Sequence, residues 1–132
     1  VSTYAQIGTY TPLHQTAGGK SILAHLEDSR VNEILDHHGL PQRTDNTIAS
    51  RERLMDELEE IRDTGIAFNR EESVKGLRGV SVSVVDETRD SVLGAISVIG
   101  PTNRLCEECP HKELPQRLSG AVNEIEINIA YS

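Results

Sequence analysis

The sequence predicts an α+β domain in which an antiparallel sheet is flanked by helices. Apolar residues recur at helical spacing in three segments before Gly65 and in one after Lys112, while the stretch between them alternates with a period of two. That order is not the strand-helix alternation of a doubly wound sheet, and no glycine-rich strand-to-helix turn of a dinucleotide site occurs. With 132 residues the chain fits one domain.

In chain order, residues 3–7 read as a short strand and 9–12 as its closing turn. Thr16 is placed to cap a helix over residues 17–26, where Ile22, Leu23 and Leu26 form one stripe. Ser29 then caps a second helix that carries Val31, Ile34 and Leu35 and stops at Gly39 and Pro41. Ser50 begins a third: Leu54, Leu58 and Ile61 share a face, the charged residues lie largely elsewhere, and Gly65 closes it. Residues 66–68 form a strand, followed by a polar stretch at 69–76 that is the best placed loop for function. Residues 80–84 alternate strictly, with three valines on one face and two serines on the other. Residues 86–90 supply a hairpin loop, and 91–99 return as an apolar strand ended by Gly100 and Pro101. A last helix from about Lys112 carries Leu114, Leu118, Val122, Ile125 and Ile129, with Pro115 in its first turn.

Charge narrows the function. There are 21 acidic against 13 basic residues, a net charge of -8, with no basic block. Such a surface repels phosphate, so neither nucleic acid nor an anionic membrane is a fitting partner for this segment. Acidity spread so evenly also suits a high-salt cytoplasm. No apolar run approaches the roughly 18 residues of a spanning helix, and no signal peptide opens the chain, so a soluble cytoplasmic protein is expected. The first residue is Val1 rather than Met, the mark of a piece of something longer.

Three motifs invite chemistry. Ala17-Gly-Gly-Lys-Ser21 resembles the end of a phosphate loop, but the glycine required five residues before Gly19 is His14. What survives is a helix start where glycines let a ligand reach free N–H groups, which favour a carboxylate; close helix packing explains the glycines equally well. Cys106 and Cys109, with His111 two residues on, have the spacing of a metal half-site. A closed zinc site would need His14, His25, His37 or His38, or a second chain, to supply the rest. As a redox pair these cysteines gain nothing from Glu107, Glu108 or Pro110, and as ordinary loop residues they need no role. His37 and His38 end a short helix, where they suit the negative end of its dipole. No Ser-His-acid triad and no acid-base pair stands out, so no enzyme is expected.

Taken in order, residues 12–24, 65–72, 76–80 and 94–101 resemble the IclR family of transcription regulators, and the likeness runs from about Ala5 to Tyr131. The resemblance implies a GAF-like effector-binding domain whose N-terminal winged helix-turn-helix, and the opening helix and strands of the domain itself, lie outside the chain. It implies DNA contact only through that absent part, a homodimer or homotetramer, and no required cofactor, zinc being the one candidate. The family's effector pocket, carried over by position, falls on Ala17, Gly18, Asn69, Gly79, Ser97 and Ile99. Members bind small organic or aromatic acids there. Asn69 stands where some members have an acid and Ile99 where some have a serine, while Gly79 replaces a bulkier residue; these changes favour a carboxylate with an apolar or aromatic body. Replacing Gly18 with valine is expected to block the helix start and leave the fold largely intact.

Overall fold

A computed structural model describes residues 11–105 and 113–131. Among these, a 3-10 turn at Leu13–Gln15 leads into α1 (Ala17–Ala24), α2 (Asp28–His38) and α3 (Arg51–Thr64). Strands β1 (Ile66–Arg70), β2 (Leu77–Asp86) and β3 (Ser91–Pro101) follow, and α4 (Leu114–Ala130) ends the chain. The strands form one antiparallel sheet in the order β1-β2-β3. The expected α+β architecture is therefore present; the expected strand at 3–7 lies outside the described residues.

Alternation along the strands gives the sheet two unlike faces. Val80, Val82 and Val84 of β2, with Ile66, Phe68, Ile96 and Val98 beside them, pack against Leu118 and Val122 of α4. The opposite face is small and polar: Ala67, Ser81 and Ser83 are buried there, and α1 covers it. Behind α1, the residues Leu23, Ala24, Val31, Leu35, Leu54, Leu58 and Ile61 join the first three helices to Ala67 in a second core. One bulge breaks the ladder. Val84 pairs with Gly94 and Val85 with Val92, which leaves Leu93 as the extra residue of β3.

The helix ends are legible locally, except that α1 stops at Ala24 rather than at the expected residue 26 and that α2 starts elsewhere than expected. Thr16 Oγ1 accepts the Gly19 N–H at 2.9 Å and Ser50 Oγ that of Arg53 at 3.3 Å, as the cap positions require. Gly39 and Gly65 close α2 and α3 with φ of 69° and 77°, which favours glycine. Pro115 sits in the first turn of α4, where the missing N–H costs nothing. The expected cap at Ser29 is wrong. α2 begins at Asp28 after Glu27, which gives no side-chain cap, and Ser29 lies inside the helix. Arg62, from the far end of α3, fixes that start by reaching Asp28 at 3.0 Å and the Leu26 carbonyl at 3.4 Å. Strand β2 runs over Leu77–Asp86 rather than the expected 80–84, and the other two strands also run further than expected. β1 continues through Arg70, and β3 through Pro101, which is tolerated because β3 has a partner strand on one side only among the described residues.

Candidate functional site

The register places the chosen residues in two neighbouring rungs on the polar face. Asn69 faces Gly79, and Gly79 faces Ile99. The next rung on that face is Ala67, Ser81 and Ser97. The start of α1 lies over it: a Cβ built on Gly18 would stand 3.1 Å from Ser97 Oγ and 3.9 Å from Ser81 Oγ. Ala17, next to it, is buried, whereas Ser97 and Ile99 are exposed. All six sequence-predicted residues thus gather at one place.

The two glycines have separate jobs. A Cβ on Gly19 would come within 2.1 Å of the Leu13 carbonyl oxygen, so Gly19 answers to close packing against the preceding turn. Gly18 faces the serines. Thr16 serves the third and fourth N–H groups of the helix, through its Oγ1 to Gly19 and its carbonyl to Lys20. The N–H groups of Ala17 and Gly18 are left to a partner outside that turn. The expectation that valine at Gly18 would leave the fold intact does not hold well, because its Cβ alone crowds Ser97 and its methyls would press further into the sheet.

The polar groups are partly committed to one another. Ser97 donates to Ser81 Oγ at 3.0 Å, and Ser81 donates to the Ile96 carbonyl at 3.2 Å. Ser97 keeps its lone pairs for a ligand donor, or gives up the Ser81 bond to offer its hydrogen to an acid. Asn69 Oδ1 accepts the Glu72 N–H at 2.8 Å and Nδ2 donates to Ser73 Oγ at 3.0 Å, so its amide both shapes the 69–73 turn and retains one donor and one acceptor position. Across Gly79, a side chain would touch Ile99 at 3.5 Å and Asn69 Cβ at 3.7 Å, so the glycine does leave room between them.

Sequence reasoning missed the ionic group beneath this floor. Lys20 has no exposed surface, and its Nζ donates to Glu57 Oε1 at 2.6 Å and to Glu72 Oε1 at 2.9 Å. Glu72, also buried, accepts the Arg70 N–H at 2.8 Å, while its own carbonyl is held by Thr47. The lysine of the discarded phosphate-loop motif therefore ties α1 to α3 and to the Asn69 turn. Glu72 lies 52 residues beyond it, and no sequence spacing could have announced the pair.

The histidines are otherwise engaged. His14 Nε2 lies 3.0 Å from the Pro41 carbonyl, and His25 Nε2 lies 2.6 Å from Ser83 Oγ. Burial holds both below the usual 6.5, with Arg62 adding to the effect at His25. His37 and His38 meet edge to face in the last turn of α2. Cys106, Cys109 and His111 lie outside the described residues, and among the described ones no group of three metal-binding side chains comes together.

A cavity of about 610 Å³ opens elsewhere, between α3, the β1–β2 edge and the start of α4. Of the six predicted residues only Asn69 and Gly79 reach it; most of its sheet lining is Ile66, Phe68, Arg70, Arg78 and Val80, from the valine face. It is accordingly a separate space.

Known proteins resemble this chain over nearly all of it. The family model for the C-terminal domain of bacterial transcriptional regulator IclR matches residues 1–127. The transcriptional repressor AllR of Escherichia coli K12 is 35% identical over 104 residues, 79% of this chain and 38% of the relative. A probable regulator named ArcR from Halobacterium salinarum is 34% identical over 117 residues, 89% of this chain and 44% of the relative. The chain thus spans about two fifths of the length of these curated relatives. Among solved structures, the C-terminal domain of the Escherichia coli regulator KdgR superposes with a TM-score of 0.82 at 34% identity, covering 95% of this chain and 75% of that one. The inducer-binding domain of an Acinetobacter PobR double mutant, bound to 3-hydroxybenzoic acid, superposes with a TM-score of 0.82 at 25% identity, covering 96% of this chain and 72% of that one. By this match of sequence and fold the chain belongs to the IclR family of transcriptional regulators, as its C-terminal domain.

Proposed function

We propose that this domain is a non-catalytic sensor that binds a small organic or aromatic carboxylate at the start of α1. The ligand then biases the arrangement of a longer regulator and so its grip on an operator. One observation carries the reading: the Thr16 cap does not use the N–H groups of Ala17 and Gly18, and this helix start lies over the Ser81–Ser97 rung, with a Cβ built on Gly18 3.1 Å from Ser97 Oγ. N–H groups at a helix start favour an anion, and two hydroxyls beside them add direction. Ile99, more than half exposed on the neighbouring rung, offers apolar contact for the body of the ligand. The hydroxybenzoic acid held by the PobR domain supports the same class. The relatives are named as transcriptional regulators, which supports a sensor over an enzyme.

Calorimetry with benzoate, hydroxybenzoate and pyruvate tests it. Aromatic acids should bind more tightly than pyruvate, and Ser97→Ala should weaken binding by roughly fivefold, the loss of about 1 kcal/mol from one neutral hydrogen bond. If no acid binds while zinc does, and the zinc signal vanishes in Cys106→Ser, a metal-responsive domain using Cys106, Cys109 and His111 replaces this reading.

A further inference from the structure

We propose that the cavity on the valine side of the sheet is a second ligand site, for a small anion with an aromatic or aliphatic body. It shares the edge residues Asn69 and Gly79 with the site above but opens on the other face of the sheet, to which Phe68 and Val80 point. Its volume of about 610 Å³ falls within the roughly 300–1,000 Å³ of small-molecule pockets. Ile66, Phe68 and Val80 make an apolar floor, which takes the body of the ligand.

The arginines specify the head group. Arg70 and Arg78 are direct cross-strand partners on this face, and like charges so placed repel unless something compensates. The Arg70 guanidinium is laid over the Phe68 ring, 4.5 Å from its centre. Arg78 has no such relief: its Nε is buried without a hydrogen-bond acceptor. A buried guanidinium N–H left unpaired costs more than a made hydrogen bond returns, so the position calls for an acceptor. Arg53 of α3 lines the same cavity, and among the described residues neither Arg53 nor Arg78 makes an ion pair, in a chain with 21 acidic side chains. Three carboxylates of α3, Asp56, Glu57 and Glu60, line the cavity too, of which Glu57 is committed to Lys20 at 2.6 Å.

A second space of about 350 Å³ shares Arg53, Glu57, Arg70 and Arg78 with the first. The arginines therefore stand at the boundary between the chamber with the apolar floor and a smaller one that also has Asp45, Asn46 and Glu72 in its lining. A carboxylate or phosphate at that boundary reaches Arg53 and Arg78 while an attached ring rests on Phe68 and Val80. Arg in this role accepts planar and tetrahedral anions alike.

Phenyl phosphate is the probe, with benzyl alcohol as its uncharged counterpart, added to the isotope-labelled chain and followed by amide NMR shifts and by calorimetry. Shifts should centre on Phe68, Arg78, Val80 and Leu114. Binding should weaken roughly tenfold in Arg78→Gln and in the exposed Arg53→Gln, and benzyl alcohol should bind at least tenfold more weakly. Shifts confined to Ala17, Gly18 and Ser97 would assign the ligand to the first site and overturn the proposal. So would equal binding of the neutral probe, unchanged affinity in both arginine variants, or no saturation by phenyl phosphate.

Discussion

Lys20 shows how a single side chain can serve as structure beneath a binding floor. Its ammonium, with no exposed surface, faces the buried Glu72 and the quarter-exposed Glu57. Removing the cation while keeping the volume, as in Lys20→Met, leaves two carboxylates without it. The expected loss is about 3–5 kcal/mol of stability, read by urea denaturation, because breaking a buried pair strands a charge. Two histidines set the pH response. Both have folded values below 6.5, from burial first, with Arg62 adding to it and Glu126 opposing it at His25. Since the unfolded chain takes up protons more readily as pH falls through 6.5, this contribution is fully present above 6.5 and is lost as pH falls below it toward the folded values. Thermal melts between about pH 7.5 and 5.5 should show falling stability, and the slope should flatten in the double variant His14→Gln, His25→Gln.

At the scale of elements, the adjacent glycines of α1 offer a contrast. Gly19→Ala must push its new Cβ against the Leu13 backbone, so a cost of about 1–3 kcal/mol is expected. Gly18→Ala meets only the Ser97 hydroxyl, which turns away, and the better helix former offsets the contact to within about 1 kcal/mol. The glycine pair was visible in the sequence, but which glycine packs and which faces the sheet was not, because that depends on a turn folded back from Pro12. The same division runs through the fold. The alternation of 80–84, the caps at Thr16 and Ser50 and the stop at Gly65 are local signals, and the structure follows them. The start of α2 is set by Arg62 from 34 residues away, and there local reasoning chose Ser29 instead. The six site residues came from the family resemblance rather than from spacing. Lys20–Glu72 and the arginine-lined cavity were legible in neither, since both are made by side chains that only the folded sheet brings together.

For the whole molecule, charge and exposed apolar surface act in opposite directions. A net charge of -8 with no basic stripe predicts no specific affinity of this chain for DNA at moderate salt, to be checked by mobility shift; tight operator binding would contradict the assignment to a sensing domain. Leu93 on β3, Ile125 and Ile127 on α4, and Tyr131 just after it are exposed. Apolar side chains at such positions suit contact between subunits, so the chain should self-associate at micromolar concentration in sedimentation. The association should strengthen with salt, because screening removes the repulsion between two acidic copies. A monomer at every salt and concentration would count against the proposed oligomer.

The two-faced sheet has a genetic consequence. In β2 the even positions Arg78, Val80, Val82 and Val84 serve one side and the odd positions Gly79, Ser81 and Ser83 the other. A saturation library along this strand, sorted once for protein abundance and once for effector response, should therefore give a two-residue beat. Valine positions should govern abundance, and glycine and serine positions response. In β3 the beat should hold from Ala95 to Ile99 and slip by one residue at Leu93, where the bulge changes which side chain faces which client.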